Sequence, residues 1–67
     1  MSPREIGRAI SDYFHENRIT LKEAAERLGY STPQVVANYI GGRKFGHKVA
    51  ARFAEVFGFN SDFLLKG

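Results

Sequence analysis

The sequence predicts an all-α protein, a compact bundle of about five short helices. Three observations carry that prediction. Apolar residues recur with a 3.6-residue period, whereas strand-like alternation never lasts beyond a few residues. Helix-start residues (Ser2, Thr20, Thr32, Asn60) precede the apolar runs, and glycines close several of them. The chain has 67 residues, with no repeat, low-complexity stretch or linker, so residues 1–67 read as one domain.

The first helix begins at Ser2. With Pro3 at the first helical position and Glu5 three residues beyond the cap, the segment has a capping box and a proline that needs no N–H partner. Ile6, Ile10, Tyr13 and Phe14 share one face, and Arg4, Arg8, Asp12 and Glu16 lie away from it. Asn17 ends the helix. Thr20 opens the second, with Glu23 in the reciprocal capping position and an apolar stripe of Leu21, Ala24, Ala25 and Leu28. The two alanines allow a neighbouring helix to approach closely. Gly29 stops this helix because it tolerates a positive φ.

A third helix runs from the Thr32–Pro33 start to Gly41 and Gly42. A fourth opens near Gly46, turns Val49, Ala50, Phe53, Ala54 and Phe57 inward, and stops at Gly58. Asn60 caps a short last helix, with Asp62 near its positive end and Phe63, Leu64 and Leu65 closing the core.

Composition narrows the functional classes. A chain this short buries only about 60% of its unfolded surface, which leaves little room for a deep catalytic cleft. There is no cysteine, and His15 and His47 stand apart, so disulfides, a zinc site or another metal are not expected. No nucleophile–base pair or phosphate-cradling glycine motif is present, since Gly41 and Gly42 form a turn; no enzyme activity and no cofactor are expected. No apolar run approaches the roughly 18 residues of a membrane span, and Met1 is followed by polar residues. The expectation is a soluble cytoplasmic protein with no membrane partner. The net charge of +3 favours nucleic acid, but anionic membranes and acidic proteins as well. Its distribution says more, because Arg43, Lys44, His47 and Lys48 cluster in one loop.

The sharpest signal lies on the third helix. At about 100° per residue, Val35, Val36, Tyr39 and Ile40 fall on one side, and Gln34, Ala37, Asn38 and Gly41 on the other. Gln34 and Asn38 are i, i+4 neighbours and project together from an otherwise small, smooth face. Alone, they would read as ordinary solvated residues. Here they follow a helix, a glycine turn and a proline-opened helix, the arrangement whose second member enters the major groove of double-stranded DNA. Each amide offers a donor and an acceptor, which suits the edge of adenine. Arg43 and Lys44 come directly afterwards, placed for the sugar-phosphate backbone.

On these residues the chain resembles the lambda-repressor-like helix-turn-helix family, also known as the Cro/C1 or xenobiotic-response-element type. The resemblance covers nearly the whole chain and is strongest from Ile19 to Gly42, ITLKEAAERLGYSTPQVVANYIGG, with the helix-turn-helix at about 20–41. The patterns TLKEAAERLG and FGFNSDFLL stand at the family's separation. The resemblance implies a DNA-binding bundle of about five helices. By position it implies that Pro33, Gln34, Ala37 and Asn38 face the bases. It implies backbone contacts for Thr32 at the mouth of the recognition helix and for the loop of Gly42, Arg43 and Lys44. Lys48 extends the same basic cluster.

Three features depart from the family pattern. The GYSTPQ turn is one residue longer. Leu21 occupies the place where many members carry a phosphate-anchoring Gln, so one expected contact is lost, with Thr20, Lys22 and backbone N–H groups at the helix start as its candidate substitutes. Phe14 and Ile40 stand where members often pair an Arg with a Glu, giving an apolar contact that proteins tolerate.

The expected function is that of a phage- or bacterial-type transcriptional repressor or regulator, associated with the nucleoid through DNA. One recognition helix reads few base pairs, so a homodimer on an inverted-repeat operator with half-sites ~34 Å apart is expected. Weak contacts of the last helix, or a longer parent protein, would supply the dimerisation. The alternative is a protein-interaction module such as an antitoxin or adaptor, against which the basic loop beside the amide face argues.

Overall fold

In the computed structural model, residues 2–66 are described, and they form five helices. Helix α1 spans Pro3–Glu16, α2 Leu21–Leu28, α3 Pro33–Ile40, α4 His47–Phe57 and α5 Ser61–Leu65. The all-α class and the number of helices agree with the sequence. Among the described residues no helix is long and apolar enough to cross a membrane.

Side chains supply the caps at three starts. Ser2 Oγ accepts from the Glu5 N–H at 3.2 Å, and Glu5 Oε1 accepts from the Ser2 N–H at 3.1 Å, which completes the box. Asn60 Oδ1 accepts from Asp62 and Phe63 N–H groups at 2.9 and 3.4 Å. The box expected at α2 forms by half. Thr20 Oγ1 accepts from the Glu23 N–H at 3.1 Å, but the Glu23 carboxylate turns forward to pair with Arg27. The reason lies one turn on. A guanidinium at i+4 offers a charge-assisted bond stronger than a neutral backbone N–H. Glu5 has Ala9 at that position and no such competitor.

The helices close into a ring in which α3 packs between α1 and α2, α4 packs on α2 and α5, and α5 returns to α1. Ile6, Ile10 and Phe14 are the buried stripe of α1; Tyr13 stays half-buried. Ala24, Ala25 and Leu28 are buried from α2, Ala50, Phe53 and Phe57 from α4, and Leu64 from α5. Phe53 stands at the centre, fully buried, within 5.1–6.2 Å of the rings of Phe45, Tyr39 and Phe57. Phe14 and Ile40 line one surface depression between α1, α2 and α3, with the exposed Leu21 also on its wall.

The contact of α1 with α3 depends on one missing side chain. Gly7 is buried, and a Cβ there would lie 2.7 Å from the Tyr39 carbonyl oxygen and closer still to that of Ile40. Both obstacles are backbone, so neither can rotate aside. The close approach draws the last turn of α3 against α1.

Gly7→Ala therefore reverses the usual sign of the substitution. In an open helix interior alanine would stabilise by about 1 kcal/mol. Here overpacking is expected to outweigh that gain and cost about 1–3 kcal/mol net, read from urea unfolding. A variant more stable than wild type would mean that α1 and α3 do not meet at this point.

A second prediction concerns acid. Hydrogen bonding from Ser2, first from its backbone N–H and then from its side chain, holds the Glu5 carboxyl below its ordinary value. The unfolded chain therefore takes up the proton first. The capped carboxylate stabilises the fold fully above its unfolded pKa, and that contribution is lost as pH falls through the lower folded value. Glu5→Gln should melt with a shallower dependence on acid pH than wild type; identical slopes would exclude the box as an acid-sensitive cap.

Candidate nucleic-acid interface

The burial of α3 is one-sided, as helical geometry requires. Val36 and Tyr39 are buried and Val35 and Ile40 half-buried, while Pro33, Gln34 and Asn38 are exposed and Ala37 lies half-buried between them. The outward amides meet: Gln34 Nε2 donates to Asn38 Oδ1 at 2.9 Å. A smooth strip with one hydrogen-bonded amide pair thus faces solvent.

The four-residue turn before α3 is held by its own aromatic. Gly29 adopts φ +84°, and the Tyr30 N–H donates to the Ala25 carbonyl at 2.9 Å. Tyr30 is half-buried against the core, and burial pushes its phenol pKa up, with Tyr39 adding to the rise. Arg52 of α4 braces the same corner, its Nε donating to the Leu28 carbonyl at 3.0 Å. The turn is therefore anchored on both sides.

Beyond α3 the chain reverses on Gly42. Its φ of +115° suits glycine, and three bonds close the helix end. Gly41 N–H donates to Ala37, Gly42 N–H to Tyr39 and Arg43 N–H to Asn38, at 2.9, 3.2 and 3.1 Å. The loop backbone is thus tied to the residue that carries one of the amides. The Arg43 guanidinium lies 5.5 Å over the Tyr39 ring, a cation–π distance. Phe45 turns inward and is buried, 4.7 Å from Tyr39 and 5.1 Å from Phe53. Its exposed neighbour Lys44 and the exposed Lys48 of α4 flank this anchor.

Among the described residues the one ion pair is Glu23–Arg27, so Arg43, Lys44 and Lys48 carry no carboxylate partner. Two helix starts have no capping side chain: Thr32 and Gly46 leave the first N–H groups of α3 and α4 without an acceptor from their caps, the first at the far end of α3 from the basic loop and the second directly after that loop. Such ends are electropositive. The Thr32 hydroxyl is exposed. Thr20 and Lys22 lie apart, at the start of α2, where the Thr20 oxygen already serves its cap and Lys22 is exposed. They make no side-chain bond to α3 or the basic loop among the described residues.

Tyr30, Phe45 and Arg52 are supporting residues that periodicity does not reveal, because all three act from turns or across helices. One linear signal does point to this region. No Asp or Glu occurs between Arg27 and Ala54, a stretch that contains Arg43, Lys44, Lys48 and Arg52. All the acids lie in the flanking segments. The arrangement can receive an anionic polymer along the loop and offer amide groups to whatever lies beside it. No family model, curated protein or solved structure matches this chain.

Phe45→Ala tests the anchor. A solvated loop residue would change stability by about 0.5 kcal/mol at most, whereas removal of a buried phenylalanine costs about 3–5 kcal/mol. The larger loss is expected in denaturant titration. The smaller would mean that the basic loop is not fastened to the core.

Proposed function

We propose that this chain binds double-stranded DNA in a sequence-specific manner, placing α3 in the major groove. It acts as a transcriptional regulator of the repressor kind, by occupying an operator. The observation that supports this reading is the joining of two chemistries on one rigid edge. The outward amide pair of α3 is tied through the Asn38 carbonyl to a loop whose cations have no carboxylate partner.

Arg43, Lys44 and Lys48 contact phosphates together with the free N–H groups at the α4 start, and the Thr32 hydroxyl does so at the start of α3. Thr20 and Lys22 reach the backbone on the other flank of the groove. These contacts supply affinity and fix register; Gln34 and Asn38, with Pro33 and Ala37 against base methyls, supply sequence preference. An eight-residue helix spans few base pairs. Two copies therefore act on an inverted repeat, with half-sites ~34 Å apart. The resemblance of TLKEAAERLG and FGFNSDFLL to the lambda-repressor-like family points the same way.

The test is a binding selection on randomised duplex DNA at two salt concentrations. An inverted repeat bound with a steep salt slope is expected. Binding without sequence preference would overturn the reading. In the double variant Arg43→Ala, Lys44→Ala, affinity should fall on all sequences alike, and the log–log salt slope should lose about 0.9 per phosphate contact removed. An unchanged slope would show that neither cation touches DNA.

A further inference from the structure

The bond between the two amides changes what each can read. A primary amide carries two N–H donors and an oxygen with two lone pairs. The Gln34 Nε2 to Asn38 Oδ1 bond occupies one Gln34 N–H and one Asn38 lone pair. Gln34 keeps its whole oxygen and one N–H. Asn38 keeps both N–H groups and a single lone pair. The strip is therefore acceptor-rich toward the start of α3 and donor-rich one turn later. Pro33, Ala37 and Gly41 beside the amides have no polar side chains, and neither amide has another side-chain partner among the described residues.

We propose that Gln34 and Asn38 form a single reading unit of fixed polarity, which places adenine under Gln34 and guanine under Asn38. Adenine presents an N6 donor and an N7 acceptor, matching one free oxygen and one free N–H. Guanine presents two acceptors, O6 and N7, matching two free N–H groups. Two independent amides would each favour adenine, so the bond between them is what separates the two preferences. One helical turn of about 5.4 Å spans between one and two base-pair steps, so the two bases are close neighbours in the site. The inference rests on the DNA-binding reading above.

Specificity profiles of the wild type, Asn38→Asp, Gln34→Glu and Gln34→Ala on a library varied around the selected site test it. The wild type should prefer adenine at one position and guanine at the other, each by about fivefold or more. Asn38→Asp still accepts from Gln34 but loses both donors, so guanine should give way to cytosine while adenine persists. Gln34→Glu loses the donor of the pair, so the unchanged Asn38 must turn its own N–H toward residue 34. Preferences should then change at both positions. Gln34→Ala should abolish the adenine preference and let adenine compete with guanine under Asn38. Both side chains are exposed, and every variant should melt cooperatively, with Gln34→Glu and Asn38→Asp shifted only by the small effect of a charge near a helix end. Adenine at both positions in the wild type, or Gln34→Glu and Gln34→Ala effects confined to one position, would overturn the coupled unit and leave DNA binding standing. A wild type that selects no DNA sequence would overturn the DNA reading itself.

Discussion

The packing of Tyr39 against Phe45 and Phe53 governs how the solvent-facing side of α3 is built. Tyr39 belongs to α3, Phe53 to α4, and Phe45 to the loop between them. Burying the three rings together fixes the rotation of α3 about its own axis, because one edge of an eight-residue helix must point at Phe53. The opposite edge, with Gln34 and Asn38, then has to face outward. The same burial draws the loop inward at Phe45, so Lys44 can only lie on the surface. Arg43 is oriented from below by the Tyr39 ring. Aromatic contacts of this kind add about 0.5–1.5 kcal/mol beyond the area they bury, enough to matter in a domain of this size.

Two further constraints cooperate with this ring cluster. Gly7 admits the α3 backbone to within contact of α1, which sets how far α3 can retreat from solvent. Arg52 ties the end of α2 to α4 through the Leu28 carbonyl, which sets the angle at which the turn delivers Thr32 and Pro33. The edge that carries the amides is therefore held at its start by the turn, at its end by the glycine crossing, and beneath by the rings. Rigid placement of this kind lets polar groups meet a partner without first losing conformational entropy.

Charge is organised on the same plan. The segment from Arg27 to Ala54 folds into α3, the loop and most of α4 without contributing a carboxylate. Glu23 and Arg27 neutralise one another on α2, away from that edge. The modest overall charge thus understates the local field, because excess cation is concentrated in the loop that leads into the α4 start, which also lacks a capping acceptor.

Much of the fold follows from local sequence alone. The Ser2–Pro3–Glu5 box, the Asn60 cap, the glycine stops and the apolar stripes of α1, α2 and α4 each depend on residues within a turn or two of one another, so periodicity and capping chemistry determine them. The outward face of α3 was legible for the same reason. Contacts between residues far apart in sequence had no such trace. Gly7 reads as an unremarkable helix residue until Ile40 is brought against it, and Phe45 reads as part of a polar loop until Tyr39 and Phe53 offer it a site. Within single helices, too, local chemistry left choices open: Glu23 fits a capping box until the competing guanidinium of Arg27, four residues on, is weighed. The hydrogen bond between Gln34 and Asn38 was open to either outcome at i, i+4 spacing, since two exposed amides are as free to bind water as each other. Local chemistry determined which helices form and which faces are apolar; tertiary packing decided how closely they approach and how the loop is anchored, because those depend on groups distant in the chain meeting, backbone on backbone at Gly7 and ring on ring at Phe45.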